Sequence, residues 1–326
     1  MRVAVFSAKK YDQDGFAQWA DPNLQFSYFD SRLSRQNVKL AQGCHAICAF
    51  VNDELSADVL QQLSTMGIEM VALRCAGFNN VDLDSARALG IRIARVPAYS
   101  PEAVAEHTVA MMLTLNRKLH KAFNRVRDDN FAIDGLLGFN MHGKTVGLIG
   151  TGRIGQATAR ILQGFGCKLL CYDVEPATEL KAHYVSLNEL YAQSDIISLH
   201  CPLNPATKHL INSDSLAKMR DGVMLINTSR GGLVNTKTVI DGLKSRKIGY
   251  LGLDVYEQEA DIFFENLSEQ VIDDEIFKRL LTFPNVLITS HQAFFTREAL
   301  QQISTITSDN LMAFAGGNTT GNELVP

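Results

Sequence analysis

The stretch Val146-Gly-Leu-Ile-Gly-Thr-Gly-Arg-Ile-Gly155 decides the fold. A short apolar run, Val146, Leu148 and Ile149, meets three glycines spaced G-x-G-x-x-G (Gly150, Gly152, Gly155), and a helix-like segment over 153–165 follows directly. The pattern predicts a strand, a tight turn and a helix N-terminus. Gly150 permits the turn, Gly152 lets backbone approach a pyrophosphate, and Gly155 allows the helix to pack closely on the strand. Free N–H groups and the positive helix end then face the anion.

The same glycine spacing also occurs in ordinary turns, so the neighbouring sequence matters. Residues 168–172 (KLLCY) read as a second strand, closed by Asp173, 18 residues after Gly155. That spacing suits a carboxylate accepting hydrogen bonds from the adenosine ribose hydroxyls. Asp173 would repel a 2'-phosphate, and Val174 and Glu175 supply no cation to hold one, so NAD is favoured over NADP.

From this point the α/β alternation runs to the end of the chain. Strand-like runs at 196–199, 223–227, 251–254 and 286–289 join 146–149 and 168–172 to give six strands with intervening helices. This is the pattern of a doubly wound parallel sheet, whose ligands bind beyond the strands' C-terminal ends. The residues at those ends are Gly150, Asp173, His200-Cys-Pro202, Thr228-Ser-Arg230, the run from Asp254 to Glu259, and Ser290-His291. One rim therefore gathers a phosphate loop, a ribose carboxylate, an arginine, acids and a histidine, with His200, Pro202, Thr228 and Ser229 as further cofactor-facing candidates.

Upstream, residues 1–98 alternate strands (3–6, 46–51, 70–73, 91–94) with helices such as 57–66 and 83–89, a smaller α/β unit without a phosphate fingerprint. Its turn Arg74-Cys-Ala-Gly-Phe-Asn-Asn80 could present N–H groups to an anion or be a simple loop. Ser100, Pro101 and Glu102 suit a helix start, and Val104, Met111, Met112, Leu115 and Leu119 form one expected buried stripe of a long helix, a candidate domain crossover. Residues 257–275 carry eight acids, more than a strand connection needs. A last helix is expected over 297–314, followed by a frayed tail from Gly316 to Pro326.

With 326 residues, 46% of them hydrophobic, the chain can build two cores, and a net charge of -4 without a basic run disfavours nucleic acid or an anionic membrane. Six cysteines without a C-x-x-C pair read as reduced packing thiols, and no metal site is expected. No signal peptide or long apolar run is evident, so a cytoplasmic protein is expected.

A bound nicotinamide implies hydride transfer, which needs a proton donor for the substrate oxygen and usually a cation for a substrate carboxylate. His291 is the candidate acid/base, set against a structural histidine. Arg230 could fork two N–H groups onto a carboxylate, or else form a structural ion pair. A carboxylate paired with His291 would fix its tautomer, and spacing offers both Glu257 and Glu259.

Taken together, Gly150-Thr-Gly-Arg-Ile-Gly155, Leu199-His-Cys-Pro202, Asn227-Thr-Ser-Arg-Gly231, Gly252-Leu-Asp-Val-Tyr-Glu257 and Ser290-His-Gln-Ala293 resemble the D-isomer-specific 2-hydroxyacid dehydrogenases. Arg74-Cys-Ala-Gly-Phe-Asn-Asn80 and Val96-Pro-Ala-Tyr-Ser-Pro101 are similar to the fermentative bacterial D-lactate dehydrogenase branch, and the likeness runs essentially end to end. The resemblance implies a catalytic triad of Arg230, Glu259 and His291, choosing Glu259 over Glu257. It implies that Tyr99 lines the substrate pocket, that amides around Ala76 and Gly77 hold the carboxylate, and that Arg153, Ile154, Asp173, Thr228 and Asp254 surround NAD. It further implies two Rossmann-like domains, with an NAD domain (100–297) inserted into a discontinuous substrate domain (1–99 and 298–326), closing across a cleft in a homodimer or homotetramer. The expected reaction is reduction of pyruvate to D-lactate by NADH. The alternatives are another 2-oxo acid (glyoxylate, hydroxypyruvate, phenylpyruvate) or an NADH-sensing corepressor-like binding protein.

Overall fold

The structure, a computed structural model, describes residues 1–180 and 182–326. Two compact units emerge, Met1–Ser100 with Phe295–Pro326, and Pro101–Phe294.

Unit 1 begins β1 (Arg2–Val5), α1 (Lys10–Trp19), β2 (Gln25–Tyr28), β3 (Ala46–Ala49), α2 (Ala57–Thr65), β4 (Met70–Leu73), α3 (Leu83–Leu89) and β5 (Arg92–Arg95). Strands β3 and β4 are buried at every position, as expected where helices cover both faces of a parallel sheet. Asp82 caps α3 by accepting from the Ser85 amide, and Gly90 ends it in the left-handed region.

Unit 2 follows with α4 (Pro101–Arg117), α5 (Leu119–Arg127), β6 (Thr145–Ile149), α6 (Arg153–Gly164), β7 (Lys168–Tyr172), β8 (His183–Tyr184), α7 (Leu187–Gln193), β9 (Ile196–Leu199) and α8 (Ser213–Lys218). It continues through β10 (Val223–Asn227), α9 (Thr236–Lys244), β11 (Ile248–Leu253), α10 (Glu275–Leu281) and β12 (Val286–Ile288). The chain then returns to unit 1 as α11 (Arg297–Ala315) and β13 (Glu323–Val325).

The unit 2 sheet is parallel with strand order β12-β11-β10-β9-β6-β7-β8. β6 and β9 are neighbours although β7 and β8 intervene in sequence, so the order reverses beside β6, the topological switch point where such sheets bind ligands. Leu148, Ile196 and Ile226 pack with Met112 and Leu115 of α4 on one face; Ile197, Leu225 and Leu251 pack with Leu216 and Leu243 on the other.

Two expectations need correction, and one strand is added. The tail is not frayed: β13 pairs antiparallel with β5, Glu323 opposite Ala94, and Val325 is buried. The α4 stripe stops before Leu119, because Lys118 adopts φ +51° and breaks the helix, leaving Leu119 half exposed. The 24–38 segment, motif-poor in sequence, holds strand β2, paired in register with β1. Its alternation is too short and polar to stand out, and the neighbouring strand supplies the order.

Candidate active site

Strand β6 delivers the chain to Gly150, whose φ of +98° few side chains could adopt. A Cβ there would lie 2.5 Å from the Cys201 amide nitrogen, and one at Gly155 would lie 2.1 Å from the Gly150 carbonyl oxygen. These two positions are glycine because backbone packs on backbone. Gly152 differs: no atom lies within 4 Å of where its Cβ would be, and it precedes α6 without any side-chain cap. The first-turn N–H groups of α6, including those of Arg153 and Ile154, therefore border open space, the arrangement a pyrophosphate requires.

Asp173, at the end of β7, joins this loop. Its Oδ2 accepts from the Thr151 amide at 2.5 Å and the Thr151 hydroxyl at 3.1 Å, and Oδ1 accepts from Glu175 N at 3.1 Å. Burial alone would raise its pKa, but these bonds hold it below the ordinary carboxylate value, keeping the negative charge that disfavours a 2'-phosphate. The donor set and the open space at Gly152 fit a dinucleotide. Thr151, inside the glycine motif, is the link that spacing alone did not single out.

His200 lies behind the loop, its Nε2 2.9 Å from the Ser198 hydroxyl. Burial pushes its pKa down to about 4, so near neutral pH it is an uncharged hydrogen-bonding group, not a counter-charge to phosphate. Pro202 is exposed, with its carbonyl accepting from the Thr207 hydroxyl at 2.7 Å.

The ends of β10, β11 and β12 form steps of one staircase. Asp254 N donates to Asn227 O at 2.9 Å, and His291 N donates to Asp254 O at 2.7 Å. On the first step, buried Thr228 shares a 2.8 Å hydroxyl contact with Thr108, and the Ser229 hydroxyl donates to Cys201 O at 2.7 Å. Arg230 follows. Its Nη1 donates to Ser229 O at 2.7 Å, and no carboxylate is seen paired with it among the described residues. Gly231 lets this loop lie on the next: a Cβ there would meet Tyr256 O at 2.0 Å.

The third step carries His291 in the left-handed region at φ +55°. Its Nδ1 lies 2.8 Å from Glu259 Oε1, and both side chains are about 15% exposed (15% and 14%). Glu259 is itself anchored, its Oε2 accepting from Tyr256 N at 2.8 Å. The Phe264 ring tilts against the imidazole, 5.6 Å between centroids. With Nδ1–H engaged by a carboxylate, Nε2 is the free nitrogen for proton exchange.

Glu257, the other spacing candidate, faces elsewhere. It contacts His209 Nε2 at 2.5 Å and accepts from the Thr236 hydroxyl at 2.9 Å. Burial would raise its pKa, but the contacts with His209 and Thr236 lower it. Asp254 is fully buried, and both carboxylate oxygens are taken by protein: Oδ1 accepts from Gln292 N at 2.9 Å and from the Thr289 hydroxyl, and Oδ2 from Ala293 N at 2.9 Å.

In unit 1, Ala76 and Gly77 occupy the loop after β4. Arg95 Nη1 donates to Ala76 O at 2.9 Å, and the Cys75 thiol to Gly77 O at 3.3 Å, so the loop's carbonyls are engaged. The loop is anchored by Arg74, 1% exposed, whose Nε donates to Asp12 Oδ1 at 2.9 Å and Nη2 to Ser7 O at 2.8 Å. Tyr99 is half-buried near the end of the unit's first segment. No His/Cys/Asp/Glu group suited to a metal ion is found among the described residues.

Comparison with known proteins bears on this geometry. Residues 109–293 match the model of the D-isomer specific 2-hydroxyacid dehydrogenase NAD-binding domain. The chain is 52% identical to a 2-hydroxyacid dehydrogenase homolog of Haemophilus influenzae and 52% identical to a D-lactate dehydrogenase of Escherichia coli, over 100% of each pair of chains. It superposes on the apo-structure of the E. coli D-lactate dehydrogenase with a TM-score of 0.91, at 49% identity and 100% coverage of both chains.

Proposed function

The chain belongs to the D-isomer-specific 2-hydroxyacid dehydrogenases, and we propose that its substrate pair is pyruvate and D-lactate, with Arg230, Glu259 and His291 as its catalytic residues. The observation that carries this is the 2.8 Å contact between His291 Nδ1 and Glu259 Oε1, on the same set of adjoining strand ends that carries Arg230. Unit 2 is the NAD-binding domain, and unit 1 supplies the substrate-binding domain.

Bound NADH supplies a hydride to the substrate's carbonyl carbon. Protonated His291 donates from Nε2 to the carbonyl oxygen, while Glu259 fixes the ring and stabilises its charge. Arg230 holds the substrate carboxylate through paired N–H groups and polarises the carbonyl. Gly150, Gly152, Arg153, Ile154 and Gly155 hold the pyrophosphate, Asp173 the ribose, and His200, Pro202, Thr228 and Ser229 shape the remaining cofactor wall, with Asp254, wholly buried, standing behind it. For unit 1 we assign the amides of Ala76 and Gly77 to the substrate carboxylate and Tyr99 to the substrate pocket. The likeness to D-lactate dehydrogenases and the engaged loop carbonyls support that assignment.

Turnover compared on pyruvate, hydroxypyruvate and phenylpyruvate tests the substrate, with pyruvate expected to give the largest kcat/KM. A larger value on phenylpyruvate would assign a bulkier 2-oxo acid, the second reading, which has support in a 31% identical D-2-hydroxyisocaproate dehydrogenase structure. No described helix is long and apolar enough to cross a membrane, and all six cysteines are free thiols, which suits a cytoplasmic enzyme.

A homo-oligomer built on unit 2 completes the proposal. Phe123, Phe131, Ile133 and Leu137 are exposed over α5 and the loop after it. That arm is held in shape by Arg125 Nη1 donating to Asp134 O at 2.7 Å and Lys118 Nζ to Gly135 O at 2.6 Å. A second copy of this chain would cover such a patch.

A further inference from the structure

We propose that His107, on α4, is a positioning residue for the acid/base histidine, acting through Asp254 and Thr289. The inference rests on the assignment of His291 as the proton donor.

His291 occupies a left-handed conformation that a β-carbon disfavours, so something must hold its turn. The holder is Asp254, whose carbonyl and carboxylate together accept the consecutive amides of His291, Gln292 and Ala293 at 2.7, 2.9 and 2.9 Å. A wholly buried carboxylate can do this only if it stays charged and is itself held in one orientation.

Two side chains provide that. The Thr289 hydroxyl donates to Asp254 Oδ1, and His107 Nε2 lies 3.3 Å from the same oxygen and 3.2 Å from the Thr289 hydroxyl. Because the Thr289 proton is committed to Asp254, His107 must present Nε2–H to this pair, which fixes its tautomer. These bonds hold Asp254 below the ordinary carboxylate range against the opposing effect of burial. The chain of contacts therefore runs from α4 to the Asp254 carboxylate to the backbone that aims the imidazole toward Glu259 and substrate. His107 lies on a helix whose buried positions are mostly apolar, and its own side chain is only 18% exposed, so nothing in the sequence sets it apart.

The test uses the full-length enzyme, NADH and pyruvate, with turnover counted per NADH-binding site so that misfolded protein drops out. His107→Phe keeps a ring but loses the donor, and kcat per site should fall about tenfold or more while the NADH dissociation constant moves less than about twofold. His107→Gln keeps a side-chain N–H and should recover kcat to within about threefold of wild type. The inference is overturned if His107→Phe keeps kcat within about threefold of wild type, or if Gln rescues nothing. It is also overturned if NADH binding weakens in step with kcat, which would assign the Asp254 cluster to the cofactor. Should His107→Phe not fold, Thr289→Val, which removes the second donor at similar volume, is read by the same criteria. His291→Gln run alongside separates the two assignments: wild-type turnover there removes the acid/base role itself, whatever His107 does.

Discussion

At His291 the chain accepts a left-handed backbone that costs a non-glycine residue about 1–3 kcal/mol, and the cost is offset by the Asp254 hydrogen bonds that fix where Nε2 points. His291→Gln should therefore lower kcat with pyruvate by about a hundredfold or more, the range of a lost general acid; a loss within about tenfold, ~1.4 kcal/mol, would dismiss the assignment. Arg230→Lys retains the charge but not the planar fork, so the KM for pyruvate should rise and kcat fall, and unchanged values for both would remove its role. His200 gives a prediction about stability. Its folded pKa of about 4 lies below the unfolded value near 6.5, so the unfolded chain binds more protons between those limits. Stability should fall by up to about 3 kcal/mol as pH drops through that window. The Asp173, Asp254 and Glu257 contributions, whose folded values are depressed, are lost at lower pH still. Melting temperatures followed from pH 7 to pH 4 should show a smaller decline in His200→Gln than in wild type, and parallel curves would contradict the burial argument.

Among the elements, the glycine turn between β6 and α6 separates space needed by the fold from space left for a ligand. Gly152→Val should leave the melting temperature near that of wild type, because nothing lies within 4 Å of its Cβ position and its φ of -64° suits any residue. It should abolish NADH binding as measured by fluorescence titration. Gly155→Val should instead unfold or strongly destabilise the protein, since its Cβ would lie 2.1 Å from a carbonyl oxygen. Equal effects of the two would refute the distinction. This turn, and the strand ends carrying Arg230 and His291, were legible because each follows a short apolar run whose period announces a buried strand. Less local features were not legible. Glu257 and Glu259 lie two residues apart, and only the fold around Tyr256 sends one toward His209 and the other toward His291. Strand β13 is three residues in a polar tail, ordered by its pairing with β5. The break at Lys118 leaves no apolar signal, because the helical period continues across it while the φ of one residue redirects the chain.

For the whole molecule, the fold binds NAD and the family defines a hydride transfer, so the remaining questions are how many copies associate and which acid is reduced. Light scattering should find a species larger than one chain, and a Phe131→Lys, Ile133→Asp, Leu137→Lys variant should shift toward the single-chain mass without losing its fold. A wild-type protein that stays single-chain at micromolar concentration would leave that apolar arm without its proposed partner. The central claim is met most directly by supplying purified enzyme with NADH and pyruvate and resolving the lactate formed by its enantiomer. The account predicts one equivalent of D-lactate for each NADH consumed; no NADH loss, or L-lactate as the product, would contradict it.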